Sequence, residues 1–167
     1  STEWQAVRCM RTLGHYIQDD GGFEFCFETA VRALWRSFYA NAGGIAARRM
    51  PLKYRLSLFS RSTTSVLKFR VTRWPFQISR AQQLDRIQRR MLTIMMGLRP
   101  LPHQSMRGFW IWRAREAGRL QRQCGNWSRL WASGVIAWSE HLQRERNRDT
   151  WAAQLAQLRT PEELRHR

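Results

Sequence analysis

Residues 84–92 read Leu-Asp-Arg-Ile-Gln-Arg-Arg-Met-Leu, and this stretch decides the class of fold. Its apolar side chains recur at every third or fourth position, which is the period of an α-helix with one buried face. Arg86, Arg89 and Arg90 fall on the opposite face of that helix. The stretch therefore predicts an amphipathic helix that contacts a hydrophobic core on one side and presents arginines on the other.

Helical periodicity also marks the segments on both sides of this stretch. Ser79 and Gln82 have the spacing of a capping box at its start, and Gly97 is suited to its end. Further helices are predicted to begin near Phe23, Leu52, Gln104, Ser128, Trp151 and Thr160. The inward face of the helix that starts at Leu52 is predicted to continue through Leu56, Phe59, Thr63 and Val66.

The N-terminal segment has a different pattern. Residues 9–17 alternate weakly between apolar and polar side chains and run into Asp19-Asp20-Gly21-Gly22, whose composition is typical of a turn. We therefore predict a short strand or hairpin there. The expected fold is mainly α: a helical bundle of about five to seven helices with a short N-terminal β-strand or hairpin.

The length of 167 residues allows one hydrophobic core and is short for two. We predict a single domain over residues 1–167. Within it, residues 1–22 form the strand and turn element, 23–98 the basic helices and 104–167 the tryptophan-rich helices. No apolar run approaches the ~20 residues that a membrane span requires, so no membrane is expected among the partners.

Charge is the property that indicates a partner. The chain has 29 Lys and Arg residues against 12 Asp and Glu, a formal net charge of +17, and its lysines are Lys53 and Lys68 alone. Between Thr29 and Arg115 the sole acidic residue is Asp85. Guanidinium groups bind phosphate bidentately and stack on bases, so this composition predicts RNA as the partner.

The predicted RNA contacts are the cationic side chains of this region and the tryptophans among them, because indole rings can stack on unpaired bases. The basic residues are Arg48, Arg49, Lys53, Arg55, Arg61, Lys68, Arg70, Arg73, Arg86, Arg89, Arg90, Arg113, Arg115, Arg119 and Arg122. The tryptophans are Trp74, Trp110 and Trp112, for each of which packing in the core is the competing interpretation. Trp127, Trp131, Trp138 and Trp151 are assigned to the core or to a protein interface.

No catalytic site is predicted. A polymerase or nuclease holds two divalent metals with clustered carboxylates, whereas the Asp19-Asp20 pair runs directly into two glycines. The cysteines Cys9, Cys26 and Cys124 have no CxxC spacing and lie far in sequence from the histidines. We expect no catalytic, metal-binding or cofactor-binding residues, no cofactor and no small-molecule substrate; the chain is predicted not to be an enzyme.

The order of these features resembles the C-terminal region of LINE-type (non-LTR) retrotransposon reverse transcriptases, which follows the catalytic palm. The similar pieces are Leu13-Gly14, the turn at Asp20-Gly21, the pattern Leu-x-x-Arg-Leu-x-Leu-Phe at 52–59, the segment 65–70 with Trp74, and residues 84–92. The resemblance covers nearly the whole chain. It implies a thumb-like helical region that holds primer and template by their backbones, without the palm and its metal-binding carboxylates.

These observations together predict a non-catalytic structural RNA-binding subunit of a large ribonucleoprotein, derived from a reverse-transcriptase fragment. A mitochondrial ribosome is the leading candidate, with ribosomal RNA and neighbouring proteins as partners; a nuclear or cytoplasmic location is the alternative. Two other functions stay open. One is the thumb part of an active retrotransposon reverse transcriptase that binds primer-template. The other is a protein–protein interaction module, in which Met91, Met95 and Met96 would line a groove.

Overall fold

The computed structural model describes the chain in four segments, 9–12, 15–18, 23–71 and 74–144, with side chains described in the last two. The first two segments are the strands β1 (Cys9–Thr12) and β2 (His15–Gln18), which pair as an antiparallel two-stranded sheet. Cys9 lies opposite Gln18 in its register. The turn predicted at 19–22 and the helices predicted after residue 144 lie outside the described residues.

Helices make up most of the described chain, so the predicted mainly helical fold is confirmed. The α-helices are α1 (Glu24–Ala40), α2 (Leu52–Phe59), α3 (Ser65–Val71), α4 (Ile78–Met96), α5 (Met106–Cys124) and α6 (Trp127–Gln143). A 3-10 helix (Ala46–Arg49) precedes α2, and a π-helical turn (Ser60–Thr64) joins α2 to α3. None of the helices in the described segments is long and apolar enough to cross a membrane.

The core lies between these helices. α4 contacts both α5 and α6, while α3 contacts α1 and α6. The largest fully buried side chains are Trp127, Trp131, Phe27, Phe38, Phe59, Leu34, Leu67, Leu84, Met91, Leu92, Met95 and Leu120. Burying an aliphatic or aromatic side chain of this size contributes roughly 1.5–3 kcal/mol. Four of these residues belong to α4, whose inward face is the one that the period of residues 84–92 predicts.

Two tryptophans of α6 complete the core. Trp127 is fully buried, and its ring lies parallel to that of Phe59 with 5.8 Å between the centroids. Its Nε1 donates a hydrogen bond to Oγ1 of Thr64 (3.2 Å). Trp131, also fully buried, donates through Nε1 to the backbone carbonyl of Trp74 (3.4 Å). Both indole N–H groups thus have acceptors, which is what makes the burial of such large rings favourable.

A polar side chain, Gln88, stands in the middle of this core and is 1% exposed. Its Oε1 accepts hydrogen bonds from the backbone N–H of Trp127 (3.2 Å) and from Nε2 of Gln121 (3.1 Å). Its Nε2 donates to the backbone carbonyl of Gly125 (2.8 Å). Gln121 also donates to the backbone carbonyl of Asp85 (2.9 Å). Since buried polar groups cost free energy unless paired, this network holds α4 against the end of α5 and the start of α6.

The start of α4 differs from its prediction. The helix begins at Ile78 and has no side-chain cap, so the capping box predicted at Ser79 and Gln82 is wrong. The reason lies in a tertiary contact: Arg80, in the first turn of α4, forms an ion pair with Glu24 of α1. Its guanidinium also lies over an aromatic ring of α1. These contacts stabilise a first turn that local capping signals do not indicate.

The segment from α2 to α3 keeps one face buried by means of the π-helical turn. Its buried side chains are Arg55, Phe59, Thr63, Leu67 and Val71, one at every fourth position. In a continuous α-helix each step of four residues would rotate the side chain by about 40°, so such a stripe would drift off the core. The wider turn offsets this drift. Of the predicted stripe, Phe59 and Thr63 are buried, and Leu56 and Val66 are half-buried against the core. The prediction is wrong at Leu52, which is exposed.

Alanine substitution at two glycines should change stability in opposite directions. Gly97 caps α4 with φ +61°, a backbone conformation that costs other residues about 1–2 kcal/mol. Gly118 lies inside α5, where a new Cβ would have only the Arg122 guanidinium nearby, at 3.7 Å. We expect Gly97→Ala to lower the free energy of unfolding by about 1–2 kcal/mol and Gly118→Ala to raise it by up to about 1 kcal/mol. Denaturant titration measures both, and a stabilising Gly97→Ala would contradict the assigned helix end.

Replacing Gln88 with leucine should destabilise the fold although the two side chains are similar in size. The change leaves the buried N–H of Trp127, the carbonyl of Gly125 and one N–H of Gln121 without partners. Each such group costs about 1–3 kcal/mol. Gln82→Leu, on the exposed face of the same helix, is the matched control and should change stability by less than about 0.5 kcal/mol. Equal unfolding midpoints for the two variants would show that the network contributes nothing.

Candidate nucleic-acid interface

Arginines line the outer face of α5. Arg115, Arg119 and Arg122 are exposed and follow one another at intervals of four and three residues, which places them on one side of the helix. The residues that α5 buries, including Ala117 and Leu120, lie on the other side. The packing of α5 on α4 therefore directs these three guanidinium groups to solvent, as their predicted role requires.

A second group of arginines lies on the outer face of α4, where Arg86, Arg89 and Arg90 are all exposed. Nε of Arg89 donates a hydrogen bond to Oε1 of Gln121 on α5 (3.1 Å). The guanidinium of Arg90 lies over the ring of Trp35, 5.7 Å from its centroid. These contacts restrain the side chains and reduce the entropy that they lose when a ligand binds.

The acidic side chains of the described region do little to neutralise these faces. Glu24 and Glu28 pair with Arg80 and Arg32, away from α5. Asp85 sits between the arginines of α4, but its carboxylate accepts hydrogen bonds from the backbone N–H (2.9 Å) and Oγ (2.6 Å) of Ser128. It thereby serves the N-terminus of α6, where the helix dipole favours negative charge.

Glu116 forms the one ion pair that involves a predicted RNA contact within the described segments. Its Oε2 lies 2.9 Å from Nε of Arg119. Because that arginine is exposed, the pair is worth little in water, and phosphate oxygens can compete for the guanidinium. The exposed faces of α4 and α5 therefore keep a large excess of positive charge.

The remaining predicted contacts occupy several places. Arg48, Arg49 and Lys53 are exposed in the 3-10 helix and at the start of α2; Arg61 and Lys68 are exposed further along, and Arg70 is half-buried. Arg73 lies outside the described residues. The structure brings none of these into hydrogen-bonding contact with the arginines of α4 and α5 among the residues it describes. Those that the structure describes lie on the 3-10 helix and along the segment from α2 to α3.

Arg55 is a correction to the predicted set of exposed contacts. The residue is 8% exposed, and its Nε is buried without a hydrogen-bond partner in the described structure. Burial lowers the pKa of its guanidinium, and the nearby charge of Arg48 lowers it further. It lies on the four-residue stripe that faces the core, which is the physical reason for its burial.

Of the three predicted stacking tryptophans, Trp74 is a second correction. It is 6% exposed and belongs to the core, where its ring stacks on that of Phe23 with 5.7 Å between centroids. Trp112 is half-buried, with its ring centroid 6.2 Å from that of Phe109. Trp110 is 53% exposed. Only the last of these presents a large ring surface to solvent.

An exposed cation near Trp110 is missing from the predicted set of contacts. Arg107 lies one turn before Trp110 on α5 and is exposed. The interval of three residues between a basic and an aromatic side chain was a usable signal, since such residues share a helix face.

No group of three or more His, Cys, Asp or Glu side chains that could hold a metal ion occurs in the part of the chain that the structure describes. Cys26 is buried and Cys124 is half-buried. Burial raises the pKa of Cys124, and a hydrogen bond with Ser60 offsets part of the increase. The thiol of Cys124 is therefore a poor nucleophile at neutral pH.

Comparisons with protein-family models, with curated proteins and with solved structures find no match for this chain. Geometry and charge alone therefore characterise the interface on α4 and α5, and the resemblance to retrotransposon reverse transcriptases stays a prediction.

Proposed function

We propose that this chain is a non-catalytic RNA-binding protein that uses the outer faces of α4 and α5 to bind phosphates. The observation that carries the proposal is the arrangement of six exposed arginines on these two packed helices: Arg86, Arg89, Arg90, Arg115, Arg119 and Arg122. One hydrogen-bond network in the core holds both helices in place, so the two arginine-bearing faces have a fixed orientation relative to one another.

Binding of this kind is governed by the release of counterions from RNA. If each of the six arginines neutralises one phosphate, the logarithm of the affinity falls against the logarithm of salt concentration with a slope of about −4 to −5. Contacts of this class fix the position of the protein on RNA and carry little sequence information. The proposed interface therefore recognises the RNA backbone.

In its finer form the proposal makes the chain a structural subunit of a large ribonucleoprotein, a mitochondrial ribosome being the leading candidate. Its partners would then be ribosomal RNA and neighbouring proteins. Small size, a net charge of +17 and reliance on arginine support this form. The test is to isolate the native protein at low salt and to size its complex with and without ribonuclease. A large, nuclease-sensitive particle that contains ribosomal RNA is expected; a small, nuclease-resistant complex would overturn the finer form.

A second candidate is the thumb part of a reverse transcriptase that binds primer-template. The observation that favours it is the similarity of residues 84–92 to that family, together with the exposed arginines that these residues present. Co-purification with a chain that bears the missing carboxylates distinguishes this candidate from the first. The protein-interaction candidate stays a proposal; Met91 and Met95 are fully buried and Met96 is half-buried, so other side chains would have to line its groove.

Reversing the charge of two arginines on α4 should abolish RNA binding. In the variant Arg89→Glu with Arg90→Glu, two phosphate contacts are replaced by repulsion at the centre of the proposed interface. We expect no detectable binding to a structured RNA at moderate salt, by filter binding or fluorescence anisotropy, while circular dichroism shows the same helix content.

The matched control reverses two exposed arginines of α1, in the variant Arg32→Glu with Arg36→Glu. This variant has the same net charge as the first, but the change lies outside the proposed interface. It should keep most of the RNA affinity. If both variants lose affinity equally, net charge alone governs binding and the assignment to α4 and α5 is wrong.

A further inference from the structure

One side of α5 faces the core in the second half of the helix. In the first half, the same side continues past the end of the core. Ala117 and Leu120 on this stripe are buried. Arg113, Trp110 and Met106 precede Ala117 by four, seven and eleven residues, so they lie on the same side of the helix. Trp110 and Met106 are 53% and 57% exposed. An apolar face of this kind, continuous with a buried one, is characteristic of a surface that binds a partner.

Arg113 gives this surface its chemical character. Its guanidinium lies 5.1 Å from the ring centroid of Trp110 and 5.9 Å from that of Phe109. Its Nε is buried and has no hydrogen-bond partner in the described structure. The cation holds the indole in one orientation through a cation–π contact. An exposed aromatic ring is thus fixed beside a positive charge.

Charge complementarity indicates what binds there. No acidic residue occurs from Arg86 through Arg115, whereas Arg107 is exposed one turn before Trp110. A ligand that fits must offer a flat aromatic face to the indole and negative charge to the arginines. An unpaired nucleotide has both, in its base and its phosphate. An apolar helix from a protein would satisfy the ring and leave the arginines uncompensated.

We propose that Trp110, with Arg113 and Arg107, forms a stacking site for an unpaired nucleotide of the bound RNA. This inference rests on the proposed function and sharpens it, because α4 and the outer face of α5 bind any RNA backbone. Duplex RNA keeps the faces of its bases stacked inside the helix, so it cannot use the indole. The protein therefore prefers RNA in which a single-stranded segment adjoins the phosphates that the arginines bind.

The test compares two RNA probes of equal phosphate number: an unstructured oligouridylate and a blunt-ended duplex of two separate strands. Trp110→Ala should weaken binding of the oligouridylate by about fivefold to a hundredfold. It should leave binding of the duplex within about twofold, since no base stack is lost there. Trp110→Phe should restore most of the affinity for the oligouridylate, because a smaller ring can still stack.

Trp138→Ala is the matched control. Trp138 on α6 is 45% exposed, and its ring stacks on that of His141 with 5.4 Å between centroids. This variant should bind both probes as the unmodified protein does. An equal loss in the Trp138 and Trp110 variants, or an equal loss of both probes in Trp110→Ala, overturns the stacking site. So does an unchanged affinity of Trp110→Ala for the oligouridylate.

Two further outcomes separate the inference from the function on which it rests. If the unmodified protein binds neither probe, the proposed RNA-binding function fails as well. If it binds the duplex and Trp110→Ala changes nothing for either probe, only the stacking site fails. Sedimentation of the protein without RNA measures self-association. If the unmodified protein self-associates and Trp110→Ala makes it a monomer while RNA binding stays unchanged, this surface binds a second copy of the chain. That outcome overturns the proposal.

Discussion

The amide of Gln88 constrains the position of three helices at the same time. Its oxygen must face the first N–H of α6 and the amide of Gln121, while its nitrogen must face the carbonyl of Gly125. A slip of α4 by one residue would break these bonds and turn Arg89 toward the core. An apolar residue at position 88 would hold the helices less selectively, since hydrophobic contacts tolerate small shifts. The outward direction of the arginine faces thus follows from a buried hydrogen-bond network.

Local periodicity predicts much of this arrangement. The pattern of residues 84–92 predicts both the helix and its two faces, because the period of an amphipathic helix can be recognised from consecutive residues. It does not predict the role of Gln88, whose partners lie more than thirty residues later in the chain. The same limit applies to Trp74. Arg73 precedes it in sequence, whereas the aromatic rings that bury it are those of Phe23 and Phe27, at the start of α1, and of Trp131 in α6.

The sequence likewise predicts some features of the candidate interface and not others. That the arginines of α5 point to solvent follows from their spacing. Which of Trp110 and Trp112 is exposed does not, because Trp110 lies on the side of α5 that buries Ala117 and Leu120, and the sequence does not show that the core ends before it reaches Trp110. The rings of both tryptophans lie near that of Phe109, with centroids 5.4 Å away for Trp110 and 6.2 Å away for Trp112, and Trp112 is the half-buried one. Burial of Arg55 is a similar case, since its stripe has a spacing that an ordinary α-helix does not maintain.

The π-helical turn between α2 and α3 bears on how this protein tolerates changes in length. A wide turn holds a residue more than an α-helical one, and here the additional residue falls within 60–64. Deleting Ser62 would shorten the interval between Phe59 and Thr63 to three residues, which suits a regular α-helix with the same buried face. A deletion within a helix normally rotates everything beyond it by about 100°. Deleting Ser62 would instead remove the additional residue of the π-helical turn, so the helix beyond it would keep its orientation. Related chains can therefore differ in length inside this helix and still share one tertiary structure.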